Sequence, residues 1–440
     1  MEESTKPPVA EWPADPSLYN LVTKIGLGAF ATVWKAERKD ESLACAVKVL
    51  NLDSVDTNLA EIRQEVQSMR LLLHPNVLPC HTAFVNNRDL WLVTPMMRKG
   101  SSLHSLQAAR QKRTQQLGEF KPPSMEPHIM YIIHETLLGL QYIHENGQIH
   151  RDIKAGNILV DTDGQVKIAD FGVSGFLVQA GSHHTKAKTF VGTPCWMSPE
   201  VMEQVHGYDY KADVWSLGIT ALELAKGYAP YAKYPPMRVL ILTIQEDPPS
   251  LASYEEESDE YYEDEVHEEY SSQFESLVSQ CLQKNPSKRP TCPDLLACKH
   301  FSLFTPEYRK QRQKALAQEV CETIPDVCDK TQKGKRSFPG NAPVSIVLDS
   351  SEDRQKGTTW VFQDGSQVVS SSMKPVEVED VLAELDEFAE QTGGEKYGLQ
   401  DQTTATTVPK IAESEADDDL DDFFDDFEQN HAAGENFRRS

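Results

Sequence analysis

The first regular pattern along the chain has a period of two. Leu21 to Ile25 alternates in polarity, and Thr32 to Ala36 and Ala44 to Leu50 are rich in β-branched and apolar residues. Three strands are expected there, with Gly26 and Gly28 at the turn between the first two. Over Asn58 to Leu73 the period changes: Leu59, Ile62, Val66, Met69 and Leu73 recur at threes and fours, which predicts a helix. Val77 to Phe84 and Leu90 to Thr94 read as two further strands. Past Gly100 helical spacing dominates. Met130 to Glu145 places Ile133, Leu137, Leu140 and Ile143 on one face, and short strand-like pieces follow at Ile158 to Val160 and Val166 to Ile168. Helical stretches return at Ala212 to Ala225, Met237 to Ile244, Ser272 to Gln283 and Cys292 to Ala297, and residues 305–324 look helical and partly basic. The order predicts an α+β chain with a small β-rich lobe followed by a larger α-rich lobe. No internal repeat is visible.

Charge changes this picture by dividing the chain. The 440 residues carry a formal net charge of -25. Tyr254 to Tyr270 holds ten Asp/Glu and no Lys or Arg, and Val376 to Ser440 holds twenty Asp/Glu against four Lys/Arg. The remainder is within one charge of neutral. No basic stripe offers a nucleic-acid surface, and no apolar run approaches the roughly 18 residues of a membrane span. Met1 to Pro16 has no apolar signal region. The eight cysteines are scattered without CxxC pairs, as in reduced cytosolic proteins, so a cytoplasmic location is expected.

Three motifs carry candidate chemistry. Ile25-Gly26-Leu27-Gly28-Ala29-Phe30-Ala31-Thr32-Val33 joins two strands. Small residues there let the backbone approach an anion. A dinucleotide fingerprint would instead open a helix, and a P-loop would require GKS or GKT. Taken alone, this run reads better as a hairpin turn with no ligand. Cys45-Ala46-Val47-Lys48 places a lysine at the end of an apolar strand run, and Glu65, on an otherwise apolar helix face, is the candidate carboxylate to orient it. Without Lys48, Glu65 would read as an ordinary surface charge. The strongest motif is His150-Arg151-Asp152-Ile153-Lys154-Ala155-Gly156-Asn157-Ile158-Leu159, followed by Asp170-Phe171-Gly172. Asp152 can accept the proton of an attacking hydroxyl, and Lys154 can neutralise a transferring phosphoryl group. Asn157 and Asp170 supply oxygen ligands suited to Mg2+.

Together these residues resemble a eukaryotic protein kinase domain from Tyr19 to about Phe304. The resemblance extends to Ser198-Pro199-Glu200, to Asp213 in Asp213-Val214-Trp215-Ser216-Leu217-Gly218, and to Arg289 in Lys288-Arg289-Pro290. It implies the bilobal kinase fold, with ATP and Mg2+ between the lobes and Lys154 marking Ser/Thr specificity. It further implies that Lys48, held by Glu65, contacts the phosphates, that Thr94 lines the back of the pocket, and that the Met97 N–H meets adenine. Asp213 would brace the catalytic loop and Arg289 would pair with Glu200. Of Thr185, Thr189 and Thr193 between Asp170 and Glu200, Thr189 is implied as the activating phosphosite, the target of an upstream kinase; Thr193 is implied to lie near Asp152 and Lys154. Thr189-Phe190-Val191-Gly192-Thr193-Pro194-Cys195-Trp196-Met197-Ser198-Pro199-Glu200-Val201-Met202, with Tyr234-Pro235-Pro236-Met237 and Asp247-Pro248-Pro249, is similar to the Ste20 group and its Frayed/SPAK/oxidative-stress-responsive branch. Trp12-Pro13, Pro95 and His104 are closest to plant- and protist-type members. Protein substrates bearing Ser or Thr are implied. A pseudokinase scaffold would lack Lys48, Asp152, Asn157 or Asp170, and all four are present.

Four segments are expected: a lead over 1–18, the kinase domain over 19–304, a helical extension and linker over 305–375, and an acidic, mostly disordered tail over 376–440. Within the third, Gly357-Thr358-Thr359-Trp360-Val361-Phe362 reads equally as a docking strand or as a minor apolar patch. Val381 to Phe388 suits one short helix, and Asp417 to Phe427 alternates acids with Leu420, Phe423, Phe424 and Phe427. No β-rich C-terminal domain of the animal type, which binds Arg-Phe-x-Val peptides, is recognisable. The acidic run 254–270 reads as a solvated insertion or a docking patch for basic segments.

Overall fold

A computed structural model describes residues 12–27, 31–52, 66–67, 69–117, 124–170, 194–203, 209–254 and 268–328, with the strand residues 359–361 and 367–369. Strands β1 (Tyr19–Leu27), β2 (Ala31–Arg38), β3 (Leu43–Asn51), β4 (Thr82–Asn86) and β5 (Asp89–Pro95) form an antiparallel sheet in the order β1-β2-β3-β5-β4. Alternation fixes which side chains face inward. Tyr19, Ala36, Cys45, Val47, Phe84, Trp91 and Val93 make one core on this sheet, and Trp12 packs against it. Trp12 stacks on His81 with ring centroids 4.4 Å apart, and the Tyr19 hydroxyl donates to Pro13 O at 2.7 Å. The N-terminal lead is therefore docked from Trp12 onward.

Two expectations at the edge of this lobe need correction. The strand expected over Val77 to Phe84 begins only at Thr82. Pro79 has no amide donor for a ladder, and its apolar neighbours turn elsewhere. Val77 forms an isolated parallel bridge with Ile168, and the Leu78 N–H donates to Ile168 O at 2.8 Å. Residues 66–67 and 69–71 of the predicted Asn58–Leu73 helix are helical, and residues 53–65 and 68 lie outside the described residues. Leu73 does not continue the buried face: it is 74% exposed, whereas Leu72 is buried.

The second lobe is built on helices α1 (Ser102–Leu117), α2 (Glu126–Glu145), α3 (Pro199–Glu203), α4 (Lys211–Lys226), α5 (Pro236–Gln245), α6 (Ser272–Cys281), α7 (Cys292–Leu296) and α8 (Pro306–Glu319). Every residue of α4 from Ala212 to Ala225 is buried. A helix enclosed on all sides is the lobe's core, and α4 ends at Gly227, whose φ of 91° suits a left-handed cap. Thr291 and Asp294 form a reciprocal capping box at the start of α7, and Thr305 caps α8. A three-stranded sheet, β6 (Gly100–Ser101), β7 (Ile158–Val160) and β8 (Val166–Ile168), lies beside these helices in the order β6-β7-β8.

Strands β9 (Thr359–Val361) and β10 (Gln367–Val369) pair antiparallel in a separate unit, with Trp360 opposite Val368. This pairing is local to the segment and bears on neither of the two readings of Trp360. The acidic residues 255–267 and the segment 376–440 lie outside the described residues.

Candidate active site

The site is assembled where the first sheet meets the His150–Leu159 motif. β1 and β2 run antiparallel with Leu27 opposite Thr32, and two register shifts fall between Leu21 and Thr23 and between Lys24 and Gly26. Such irregularities bend a hairpin. Ile25, Gly26 and Leu27 thus close one side and Ala31, Thr32 and Val33 the other, while Gly28, Ala29 and Phe30 lie outside the described residues. Lys48 sits on β3, opposite Val33 of β2 and Leu92 of β5. On β5, Thr94 is opposite Ala46, and Met97 follows in a buried position with its carbonyl accepting the Gly100 N–H at 3.1 Å.

The Lys48 Nζ reaches Asp170 Oδ1 at 2.8 Å. Glu65, expected to orient Lys48, lies outside the described residues. Burial opposes ionisation of Asp170, but Lys48 and Lys154 outweigh it and hold its carboxyl below the usual range. Asp170 takes a φ of 61° and Arg151 a φ of 70°. Non-glycine residues in this region cost about 1–3 kcal/mol each and persist where their surroundings over-determine them.

Asp152, Lys154 and Asn157 converge in one loop. Lys154 Nζ donates to Asp152 Oδ1 at 3.0 Å and Oδ2 at 2.9 Å, and Asn157 Nδ2 donates to Asp152 O at 2.8 Å and Oδ2 at 2.7 Å. Burial works against the Lys154 charge, yet the Asp152 carboxylate beside it raises its pKa. The loop is set from beneath by Asp213 of α4. Asp213 Oδ2 accepts the His150 N–H and His144 Nε2, and Oδ1 accepts the Arg151 N–H, each at 2.8 Å. Asp213 is wholly buried, and these donors hold it ionised against that burial. His150 is pushed toward its neutral form by burial. Its Nε2 lies 3.0 Å from Ala169 O, so Nε2 carries the proton and Nδ1 accepts the Asp152 N–H at 3.3 Å. One imidazole thereby ties the loop of Asp152 to the residue preceding Asp170.

Two residues here carried no motif in the sequence. Glu223 of α4 is wholly buried; its Oε2 accepts the Ala155 N–H and the Trp196 indole N–H, each at 2.9 Å, and its Oε1 has no hydrogen-bond partner. Burial pushes its carboxyl up to about 7, against the pull of those donors and of Lys154. His144 links Asp213 to the Cys292 thiol, 3.6 Å from its Nδ1. Both residues sit in apolar helical runs, where a polar side chain reads as surface.

The donors also fit a divalent metal. The Asn157 amide nitrogen is committed to Asp152, which leaves its Oδ1 as an oxygen donor. Asp170 is held ionised. Among the described residues no group of three or more His, Cys, Asp or Glu could hold a metal ion. One carboxylate and one amide oxygen suit Mg2+, which binds through few protein ligands and takes others from phosphates.

A family model described as the protein kinase domain matches residues 19–301. The chain belongs to the protein kinase family. It is 47% identical over 297 residues to Germinal center kinase 3 of Caenorhabditis elegans, covering 67% of this chain and 49% of that protein. It is 40% identical over 332 residues to Serine/threonine-protein kinase fray2 of Dictyostelium discoideum, covering 74% and 29%. Over 288 residues it is 38% identical to Serine/threonine-protein kinase ppk11 of Schizosaccharomyces pombe, covering 66% and 83%. The chain thus spans half or less of the first two relatives, and these similarities agree with a Ste20-group kinase of the Frayed-type branch.

Away from Asp152 and Asp170, Arg289 forms an ion pair with Glu200. Arg289 NH1 and NH2 donate to Glu200 Oε1 and Oε2 at 2.7 and 2.9 Å, with the guanidinium over Trp215. This bidentate pair pins α3 to the loop before α7. Thr185, Thr189 and Thr193 lie outside the described residues. No helix among the described residues is long and apolar enough to cross a membrane.

Proposed function

We propose that the chain is an ATP-dependent serine/threonine protein kinase acting in intracellular signalling, which moves the ATP γ-phosphate to Ser or Thr hydroxyls of proteins. The observation that carries this reading is the convergence of Asp152, Lys154 and Asn157 in one loop, with Lys154 near enough to interact electrostatically with the Asp170 that Lys48 holds. Asp152 orients the attacking hydroxyl and takes its proton. Lys154, already on the Asp152 carboxylate, is placed to offset charge on the moving phosphoryl group. Lys48 holds the α/β phosphates under the β1–β2 hairpin, and Thr94 and Met97 flank the adenine. Asn157 and Asp170 would hold Mg2+, which would supply positive charge to offset that of the phosphates. Catalysis of this kind is largely positioning and electrostatic stabilisation.

The test is transfer of labelled phosphate from Mg·ATP to a Ser/Thr peptide library by wild type and Asp152→Asn. Wild type is expected to label a subset of peptides, and Asp152→Asn to lose about 10²-fold or more of the rate. No transfer by wild type carrying phosphate at Thr189 would sink the reading.

Activation by phosphorylation at Thr189 belongs to the same proposal. A phosphate brings about -1.5 to -2 charge and would pair with Arg151, whose backbone is already fixed by Asp213. Thr189→Ala is expected to lower activity and Thr189→Glu to restore part of it. Full activity of Thr189→Ala protein in the same assay would exclude this mode of control.

A further inference from the structure

Helix α8 and the residues after it lie beyond the matched family residues, 19–301. They nevertheless touch the site's supporting frame at three places. Arg309 Nε and NH2 of α8 donate to Glu135 Oε1 and Oε2 of α2, both at 2.8 Å. Glu135 is buried, and it also accepts Asn76 Nδ2 at 2.9 Å and meets His134 Nδ1 at 3.1 Å. Asn76 in turn holds β8 from both directions: its Nδ2 donates to Val166 O at 3.1 Å, and its O accepts the Ile168 N–H at 2.8 Å. β8 runs directly into Ala169 and Asp170.

The second contact is at the β7–β8 turn. Gln313 Nε2 donates to Asp163 O at 3.2 Å, and Gly164, with a φ of 77°, lies so close to α8 that an added Cβ would sit 2.3 Å from Gln313 O. At the third, the chain after α8 returns to Arg98 and Lys99, directly before β6. Buried Lys99 donates to Ile324 O at 2.9 Å and pairs with Asp326 at 2.7 Å, and the Val327 N–H donates to Arg98 O at 2.9 Å. The small sheet β6-β7-β8 is thus clamped at β6, at its far turn and, through Asn76, at β8. It carries the chain out of the catalytic loop after Asn157 and back to Asp170.

We propose that Arg309 and Asp326 are positioning residues for the phosphotransfer site, and that the segment Pro306–Cys328 is a working part of that site; the proposal rests on the kinase reading above. The bidentate geometry matters because a planar guanidinium fixes the carboxylate's orientation as well as its charge. Glu135 passes that orientation to Asn76, and Asn76 sets the height of Ile168 and so of Asp170. A small displacement of a group that positions phosphates is costly to rate.

The experiment compares the full chain with Arg309→Met, Arg309→Lys and Asp326→Asn, all well below their melting temperatures. Three readouts are taken: kcat and KM for ATP and peptide, Mg·ADP affinity by calorimetry, and amide exchange over residues 166–170. Phe274→Leu in α6 serves as a control that loosens the lobe away from the clamp. Arg309→Met is expected to lower kcat about 10-fold with peptide KM unchanged and to speed exchange at Ile168. Arg309→Lys should recover part of both, and Asp326→Asn should weaken Mg·ADP binding. A variant set that lowers melting temperature as Phe274→Leu does, while kcat, Mg·ADP affinity and exchange over 166–170 stay at wild-type values, would overturn the proposal and leave α8 a structural prop. Should Arg309→Met fail to fold, Arg309→Lys and Asp326→Asn carry the same comparison. If wild type labels no peptide, the kinase reading fails, and Mg·ADP affinity with the exchange at 166–170 still decides the positioning role.

Discussion

Glu223 is the residue whose chemistry departs furthest from its surroundings. A carboxyl wholly buried among apolar helices is normally costly, and here it sits beneath the loop that carries Lys154. Its folded pKa, about 7, lies above the ordinary 4.5. Between those values the folded chain binds more protons at Glu223 than the unfolded chain does, so stability falls as pH rises through that window. The full penalty is absent below about 4.5 and is on the order of 3 kcal/mol near neutrality. Glu223→Gln keeps an oxygen for the Ala155 and Trp196 donors and removes the ionisation. Chemical denaturation between pH 5 and 8 should therefore show a flatter stability profile for Glu223→Gln than for wild type, with the gap widest at the alkaline end. Parallel profiles for the two proteins would mean that Glu223 does not titrate in that range.

The elements bring together what single residues cannot signal. Asp152, Lys154, Asn157 and Asp170 were legible in the sequence because residue type and spacing define them within one stretch of chain. The β-rich and α-rich order was legible because each period is local. Arg309 and Glu135 were not, since a surface-looking arginine and a carboxylate on an amphipathic helix are joined only by tertiary packing across 174 positions. The misread strand at Val77 has the same origin: its apolar residues are buried against β8, not laddered in the first sheet. Glycine at 164 belongs to this class too. It has the composition of an ordinary turn, yet its lack of a side chain is what lets α8 approach the β7–β8 turn. Gly164→Ala combines a positive φ with a clash against helix backbone, and neither can relax cheaply. It is expected to destabilise the protein by about 2–4 kcal/mol, read as a lowered midpoint in urea. A substitution at Gly147, also at positive φ but with open space around it, should cost about 1 kcal/mol. Equal costs at the two sites would show that the turn, not the packing of α8, requires glycine.

At the scale of the whole chain, charge and chemistry are separated. Residues 376–440 hold twenty Asp/Glu against four Lys/Arg, and most of the net charge of -25 is theirs. No residue placed in the candidate site comes from that segment. An influence of its charge on phosphotransfer through the long-range field would be screened by solvent and salt within about 10 Å at 0.1 M ionic strength. A field of this kind acts on encounter with charged substrates rather than on the reacting atoms. A chain ending at residue 375 should therefore turn over a neutral peptide with kcat and KM within about 2-fold of the full chain. For a strongly basic peptide, the full chain should show the lower KM in dilute buffer, with the difference closing as salt is raised. A chain ending at residue 304 is a different cut, because it removes buried Leu316, Val320 and Ile324, each worth about 1.5–3 kcal/mol when fully buried, and strips Glu135 of its guanidinium. That shorter chain should melt at lower temperature and lose activity on the neutral peptide as well. A large fall in kcat on the neutral peptide for the chain ending at 375 would place the acidic segment inside the catalytic mechanism, against the separation argued here.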